Sequence, residues 1–161
     1  MGLLVNKTDF IGKHLIAVSA LNATSIDTYI TRYEENYLIA LLGASLFDLF
    51  KATPSVARFS ALTAPFHKDK ELCIVKSEGM IDMLKGFIYW EIVKDQAVKN
   101  TLSGNMVGQV ENNVLASNDT LYNRYNEAIR TYWAIQWYIR ENLSTYPEYN
   151  GQPKGLAHWC L

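Results

Sequence analysis

Acid–base, metal and nucleophilic chemistry would have to come from a few side chains in this sequence. Three histidines, His14, His67 and His158, lie in separate regions, and none has a carboxylate or cysteine at metal-ligand spacing. Each reads as structural. Glu91 and Asp95 are the sharper pair, because carboxylates at i and i+4 of a helix share a face and would offer a cation two oxygens. A metal site needs more ligands than these, so a solvated face or a salt link to Lys94 or Lys99 is the plainer reading. Cys73 and Cys160 are too few and too distant in sequence for a disulfide framework or a zinc cluster, and imply inert thiols in a reducing compartment. Gly104-Asn-Met-Val-Gly108 lacks the strand, Lys and Ser/Thr of a phosphate-cradling loop. Ser19, Ser45 and Ser103 have no nucleophile-elbow context. These residues supply no catalytic centre, no metal site and no cofactor site, and the expectation is that the chain is not an enzyme.

The totals narrow the classes further. A chain of 161 residues suits one domain, 1–161, and such a domain buries about 68–70% of its unfolded surface, enough for a real core. The net charge of −1 argues against an electrostatic nucleic-acid binder, which would show a surplus of Lys and Arg on one face. The ten tyrosines and four tryptophans exceed what a disordered chain carries, and both residue types favour interfaces. The opening Met1-Gly2-Leu3-Leu4-Val5-Asn6 has neither a basic signal-peptide start nor the Ser or Thr that myristoylation wants, so export is not expected. The richest apolar run, Tyr37 to Phe50, is broken by Gly43, Ser45 and Asp48 and falls short of a bilayer span, so no membrane is implied. Four Asn-x-Ser/Thr sites, beginning at Asn6, Asn22, Asn118 and Asn142, are read as chance.

The elements that must position these groups read as helices. Phe10, Ile11, His14, Leu15 and Val18 predict a short helix within Leu3 to Leu21, and Ser25 caps the next, with Ile26, Tyr29, Ile30, Tyr33, Tyr37, Leu38 and Leu41 inward and Arg32, Glu34 and Glu35 wet. Leu42-Gly43-Ala44 punctuates, and a further helix from Ser45 ends near Ala52 because Thr53 precedes a proline. Val56 to Leu62 forms a short helical piece. Glu71 to Lys76 is either a strand or an extended connector. Two long helices follow, at about 77–98 and 118–143. In the first, Gly86 costs about 1 kcal/mol relative to Ala and implies close packing against a neighbour. In the second, Tyr122, Tyr125, Ile129, Tyr132, Gln136, Ile139 and Leu143 make one stripe. Its C-terminal half also carries Trp133, Trp137 and Tyr138, and at 3.6 residues per turn these cannot all share one core with Tyr132. Some are expected to meet another subunit.

Between the long helices lies an arm, about 99–117. It is long for a connection, yet Leu102, Met106, Val107, Val110, Val114 and Leu115 are spaced through it, and Ser103-Gly104-Asn105 can turn a hairpin. The tail, about 147–161, is rich in Gly and Pro but ends in Leu156, Trp159 and Leu161, so it is expected to dock on its own domain or on a partner. The fold expected is all-α: a single-domain helical bundle with two long helices, shorter N-terminal helices and a long extended arm or hairpin.

Three blocks, Ile26 to Phe50, Ser77 to Asn100 and Ser117 to Gly151, then carry a family resemblance. With LLG before LFDLF, FIYW, VKNT, YNEA and YPEYNG, the chain resembles the small helical head-tail connector, or head completion, proteins of tailed bacteriophages, in the style of Bacteroidetes phages and the crAss-like group. The resemblance implies a structural virion protein, a portal adaptor assembled in the host cytoplasm and resident at the head-tail junction. Copies would form a dodecameric ring beneath the portal protein, meet the next adaptor ring or a tail protein, and continue a channel through which DNA passes without sequence-specific binding. Under that reading the arm residues Asn100, Leu102, Gly104, Asn105, Met106, Val107, Gln109, Val110, Asn112 and Val114 form one interface, and Trp133, Trp137, Tyr138 and Trp159 another. The alternative is a small helical phage or bacterial enzyme with a carboxylate metal site at Glu91 and Asp95. A helical transcriptional regulator is disfavoured by the lack of a basic recognition helix.

Overall fold

The computed structural model describes residues 2–16, 23–70, 73–101, 104–107 and 118–155. Helices dominate: α1 (Ala23–Leu42), α2 (Ala44–Ala52), α3 (Ala57–Thr63), α4 (Met80–Ala97) and α5 (Asn118–Glu141). The chain is predominantly helical, as expected, and carries two antiparallel hairpins: β1 (Phe66–Lys70) with β2 (Cys73–Ser77), which a purely α class leaves out, and β3 (Val98–Thr101) with β4 (Gly104–Val107), at the start of the arm where a hairpin was allowed. Of residues 71–76, whose strand or connector state the sequence left open, 73–76 thus lie in a strand with a partner, and 71–72 fall outside the described residues. Phe66 pairs with Ser77 and Asp69 with Ile74, and alternation then turns Ser77 inward and leaves Ile74 exposed.

The N-terminal helix is a second correction. Two short 3-10 turns, Lys7–Asp9 and Gly12–His14, replace it. Gly12 has φ +60°, a left-handed conformation that an α-helix cannot continue through, and Asp9 ties back to the Asn6 N–H at 2.8 Å. Phe10 and His14 are buried, whereas Ile11 and Leu15 are about two-thirds exposed. Upstream, the backbone N–H groups of Leu3, Leu4 and Val5 donate to the Glu34 carboxylate at 2.6, 2.6 and 3.0 Å. Glu34 is therefore buried and not on the wet side of α1, because three backbone donors replace its water.

Gly43, with φ +82°, separates α1 from α2, and Leu46, Phe47 and Phe50 then turn inward, Phe50 edge-on to Phe59 of α3 at 5.1 Å. Central to the molecule is α4, which begins at Met80 and not at Ser77. Ser77 instead closes β2 and uses its Oγ to accept the Gly79 N–H. Met80, Met83, Leu84, Phe87, Ile88 and Ile92 are all buried. On one side α4 meets α1, with Tyr37 stacked on Phe87 at 4.4 Å; on the other it meets α5. Gly86 makes the close approach expected of it, since a Cβ there would lie 2.8 Å from the Ala128 Cβ. Tyr29 reaching Asp95 and Tyr37 reaching Glu91 set α1 antiparallel to α4, and Trp90 against Tyr122 and Tyr125 does the same for α5.

After α5 the chain turns at 142–149, anchored by Tyr146, which is buried and gives its hydroxyl to the Arg58 carbonyl at 2.6 Å. Leu143 lies beyond the helix end and is exposed, although periodicity placed it in the stripe. Residues 150–154 then run as a strap beside α1. Asn150 and Gln152 donate their N–H groups to the carbonyls of Leu42 and Ala40, satisfying acceptors that a helix end leaves open. The fit is close: a Cβ on Gly43 would lie 2.7 Å from the Asn150 carbonyl carbon. No helix among the described residues is long and apolar enough to cross a membrane.

Candidate functional site

At one end of the molecule the start of α1, the end of α4, the β3–β4 hairpin and the start of α5 come together. The antiparallel packing on both sides of α4 dictates this. The hairpin continues α4 without a break, Val98 pairing with Val107, Lys99 with Met106, Asn100 with Asn105 and Thr101 with Gly104. Gly104 and Asn105 of the expected turn at Ser103-Gly104-Asn105 lie in β4, and residues 102–103 between the two strands fall outside the described residues. Of the expected arm residues, Asn100, Gly104, Asn105, Met106 and Val107 lie in this ladder. Leu102, Gln109, Val110, Asn112 and Val114 fall outside the described residues, as does Trp159 of the tail.

Beneath the hairpin, α1 and α4 share a set of tyrosine–carboxylate contacts. Tyr37 donates its hydroxyl to Glu91 Oε1 at 2.8 Å, Lys94 Nζ donates to Glu91 Oε2 at 2.6 Å, and Tyr29 donates to Asp95 at 2.9 Å. Burial, then the Glu91 carboxylate, pushes the Tyr37 phenol well above its ordinary range, so it stays a donor. Burial and the Asp95 hydrogen bond push Tyr29 up to about 12. The hydrogen bond from Lys94 to Glu91 raises that ammonium. Glu91 and Asp95, the pair considered as metal ligands, thus direct oxygens to two different tyrosines.

The strap brings Lys154 to the same place. Its ammonium lies 4.5 Å from the Tyr37 ring centroid and 5.8 Å from that of Phe87, and burial lowers its pKa while Glu91 opposes the shift. Three α5 side chains hold the strap. Tyr132 gives its hydroxyl and Gln136 its amide to the Gln152 carbonyl, and the Trp133 indole N–H donates to the Lys154 carbonyl at 2.7 Å. Nothing in the spacing of Gln152 and Lys154 marked them; the Tyr29, Tyr33, Tyr37 stripe was the legible half of this contact.

The surplus aromatics of α5 also find partners within the chain. Tyr132 is core, Tyr138 packs on Phe66 of β1 at 5.1 Å and on Tyr146 at 6.5 Å, and Trp137 is half-buried. Trp133 keeps 41% of its surface exposed beside the strap. This surface carries an exposed tryptophan, a row of tyrosines and charges of both signs, a composition that interfaces favour. No protein-family model matches the chain, and no curated protein or solved structure matches it.

Proposed function

We propose that the chain is a structural virion subunit, a head-tail connector or head completion protein that joins a phage capsid to its tail. Its copies form a dodecameric ring under the portal protein, continue the DNA channel, and offer a surface to the next adaptor ring or tail protein at the head-tail junction. The observation that carries this reading is the resemblance of the three sequence blocks to that family. Its coherence supports the reading: the blocks are α1 with α2, α4 running into β3, and α5 running into the strap, the elements that pack on one another. A ring subunit needs two unlike sticky faces and tolerates an extended arm. A net charge of −1 suits a channel through which DNA must slide, since many phosphate-binding cations would hold it.

In this reading the β3–β4 hairpin and the chain after it are the arm that reaches the portal or a neighbouring subunit. Replacing Ser103 to Asn113 with glycines should leave a folded helical monomer, by circular dichroism and thermal melting, but abolish rings in electron micrographs and co-sedimentation with the portal. A deletion variant that still assembles would sink the arm assignment. Intact protein that forms no ring alone or with a portal would sink the connector reading itself.

A further inference from the structure

Residues 150–154 lie in a groove whose walls are α1 and α5 and whose floor is α4, and the groove reads main chain rather than apolar bulk. From α1 the carbonyls of Leu42 and Ala40 accept the N–H groups of Asn150 and Gln152, at 3.2 and 2.7 Å. From α5 the buried Tyr132 hydroxyl and Gln136 amide converge on the Gln152 carbonyl, and the Trp133 indole donates to the Lys154 carbonyl. Two strap positions decide the fit. Gly151 is required because a Cβ there would enter the Leu41 carbonyl oxygen. The Lys154 ammonium lies over the Tyr37 and Phe87 rings, with Glu91, which accepts from Tyr37, as the opposite charge acting on it. Gln152 and Pro153 between them face solvent. The groove therefore selects an extended Gly-x-x-Lys segment, through backbone hydrogen bonds and one cation on two rings.

Of the nine glycines in the sequence, Gly151 alone is followed by a lysine three residues on, so among copies of this chain the strap is the one segment that satisfies the groove. Its tether also permits exchange. Tyr146 stays anchored to Arg58 of its own domain, and the stretch from there to Gly151 reaches about 17 Å when extended. We propose that the groove takes the strap of a second copy as well as its own, so that neighbouring copies are joined by exchange of residues 150–154. Exchange needs no new surface, since every contact of the closed chain recurs between copies. The tether holds a chain's own strap at an effective concentration on the order of millimolar, so the exchanged form gains as copies are brought together. In a ring the assembly supplies that crowding, and this last step rests on the connector reading; the exchange itself does not.

The test uses the full chain with Cys73 and Cys160 replaced by serine. Ala40→Cys protein and Gln152→Cys protein, whose positions lie side by side across the bond from the Gln152 N–H to the Ala40 carbonyl, are mixed and treated with a short bismaleimide. Covalent dimer should form in the mixture well above either protein alone, and should increase from micromolar to millimolar protein. In parallel, a fluorescent peptide of residues 148–155 is titrated into Gly151→Ala protein, whose own strap cannot seat. It should bind there, at least about tenfold more weakly to the unmodified chain, whose groove is filled, and about tenfold more weakly when its lysine is replaced by alanine. If Gly151→Ala does not fold, the crosslink decides alone. Peptide binding with no mixed crosslink at any concentration overturns the exchange and leaves the strap a closed latch. Absence of both overturns the groove as a receptor. Rings that form without the crosslink likewise overturn the exchange but leave the connector reading standing, whereas a crosslink in protein that never forms rings upholds the exchange and counts against the connector.

Discussion

Lowering the pH should unfasten His14 from the core, and the cost can be worked from its surroundings. The imidazole is 2% exposed, lies against α4 near Gly86, and sits 6.0 Å from the Tyr89 ring. Burial pushes its pKa down to about 4 from 6.5. Lys13, Lys85 and Arg124 add to the fall, and Asp82, whose Oδ1 is 3.9 Å from Nδ1, opposes it. The unfolded chain therefore takes up a proton near pH 6.5 that the folded chain refuses until about pH 4. Stability from this residue is complete above pH 7 and declines as pH falls through 6.5 toward 4, by at most about 1.4 kcal/mol per unit. Between pH 7.5 and 4.5 the loss sums to about 2.5 kcal/mol. Asp82, held below the ordinary carboxylate range by Lys13 and Lys85 against its own burial, releases its share of stability only below that window. Urea unfolding of the protein and of His14→Leu at several pH values between 7.5 and 4.5 isolates the term, since other groups cancel in the difference. The wild-type curve should fall by about 2.5 kcal/mol more than the variant's. Parallel pH dependences, or a His14 proton resonance titrating near 6.5 in the folded state, would refute the reasoning.

Three further perturbations probe the framework. Gly86→Ala should destabilise by about 1–3 kcal/mol, despite the better helix propensity of Ala, because of the contact with Ala128, and Ala128→Gly should recover most of the loss in thermal melts. Glu34→Ala leaves the N–H groups of Leu3, Leu4 and Val5 without their carboxylate; an expected cost of about 2–3 kcal/mol should come with faster hydrogen exchange at those amides, and unchanged exchange would contradict the assignment. Gly151→Ala drives a Cβ into the Leu41 carbonyl and should release the strap, read as a rise in Trp133 solvent accessibility by fluorescence quenching together with a loss of about 1–3 kcal/mol.

Local rules carried much of the fold. Ile26, Ile30, Tyr37, Leu38 and Leu41 recur at the spacing of one helical face, Thr53 precedes a proline, and Gly43 interrupts two helices it could not join; each signal lies within a few residues, and each element follows it. Gly86 also spoke locally, because a mid-helix glycine costs energy that only close contact repays. The misreadings arose where a distant group decided. Apolar spacing within residues 3–21 suggested a helix, but in the described part of that stretch the Glu34 carboxylate and the left-handed Gly12 impose turns. Glu34 itself looked wet because nothing nearby announces the three amide donors about 30 residues away.

The candidate surface divides in the same way. From composition and spacing alone come the predominantly helical class, the tyrosine stripe of α1, the over-aromatic half of α5 and a hairpin-prone arm, since each depends on residues within one element. Tertiary structure alone decided that Glu91 and Asp95 are divided between Tyr37 and Tyr29, that Lys154 rests on Tyr37 and Phe87, and that LLG and YPEYNG belong together because Gly43 and Gly151 let the strap close on the end of α1. The physical reason is that a helix end and a buried carboxylate specify only that partners are needed; which distant backbone or side chain supplies them is settled when the core brings it near.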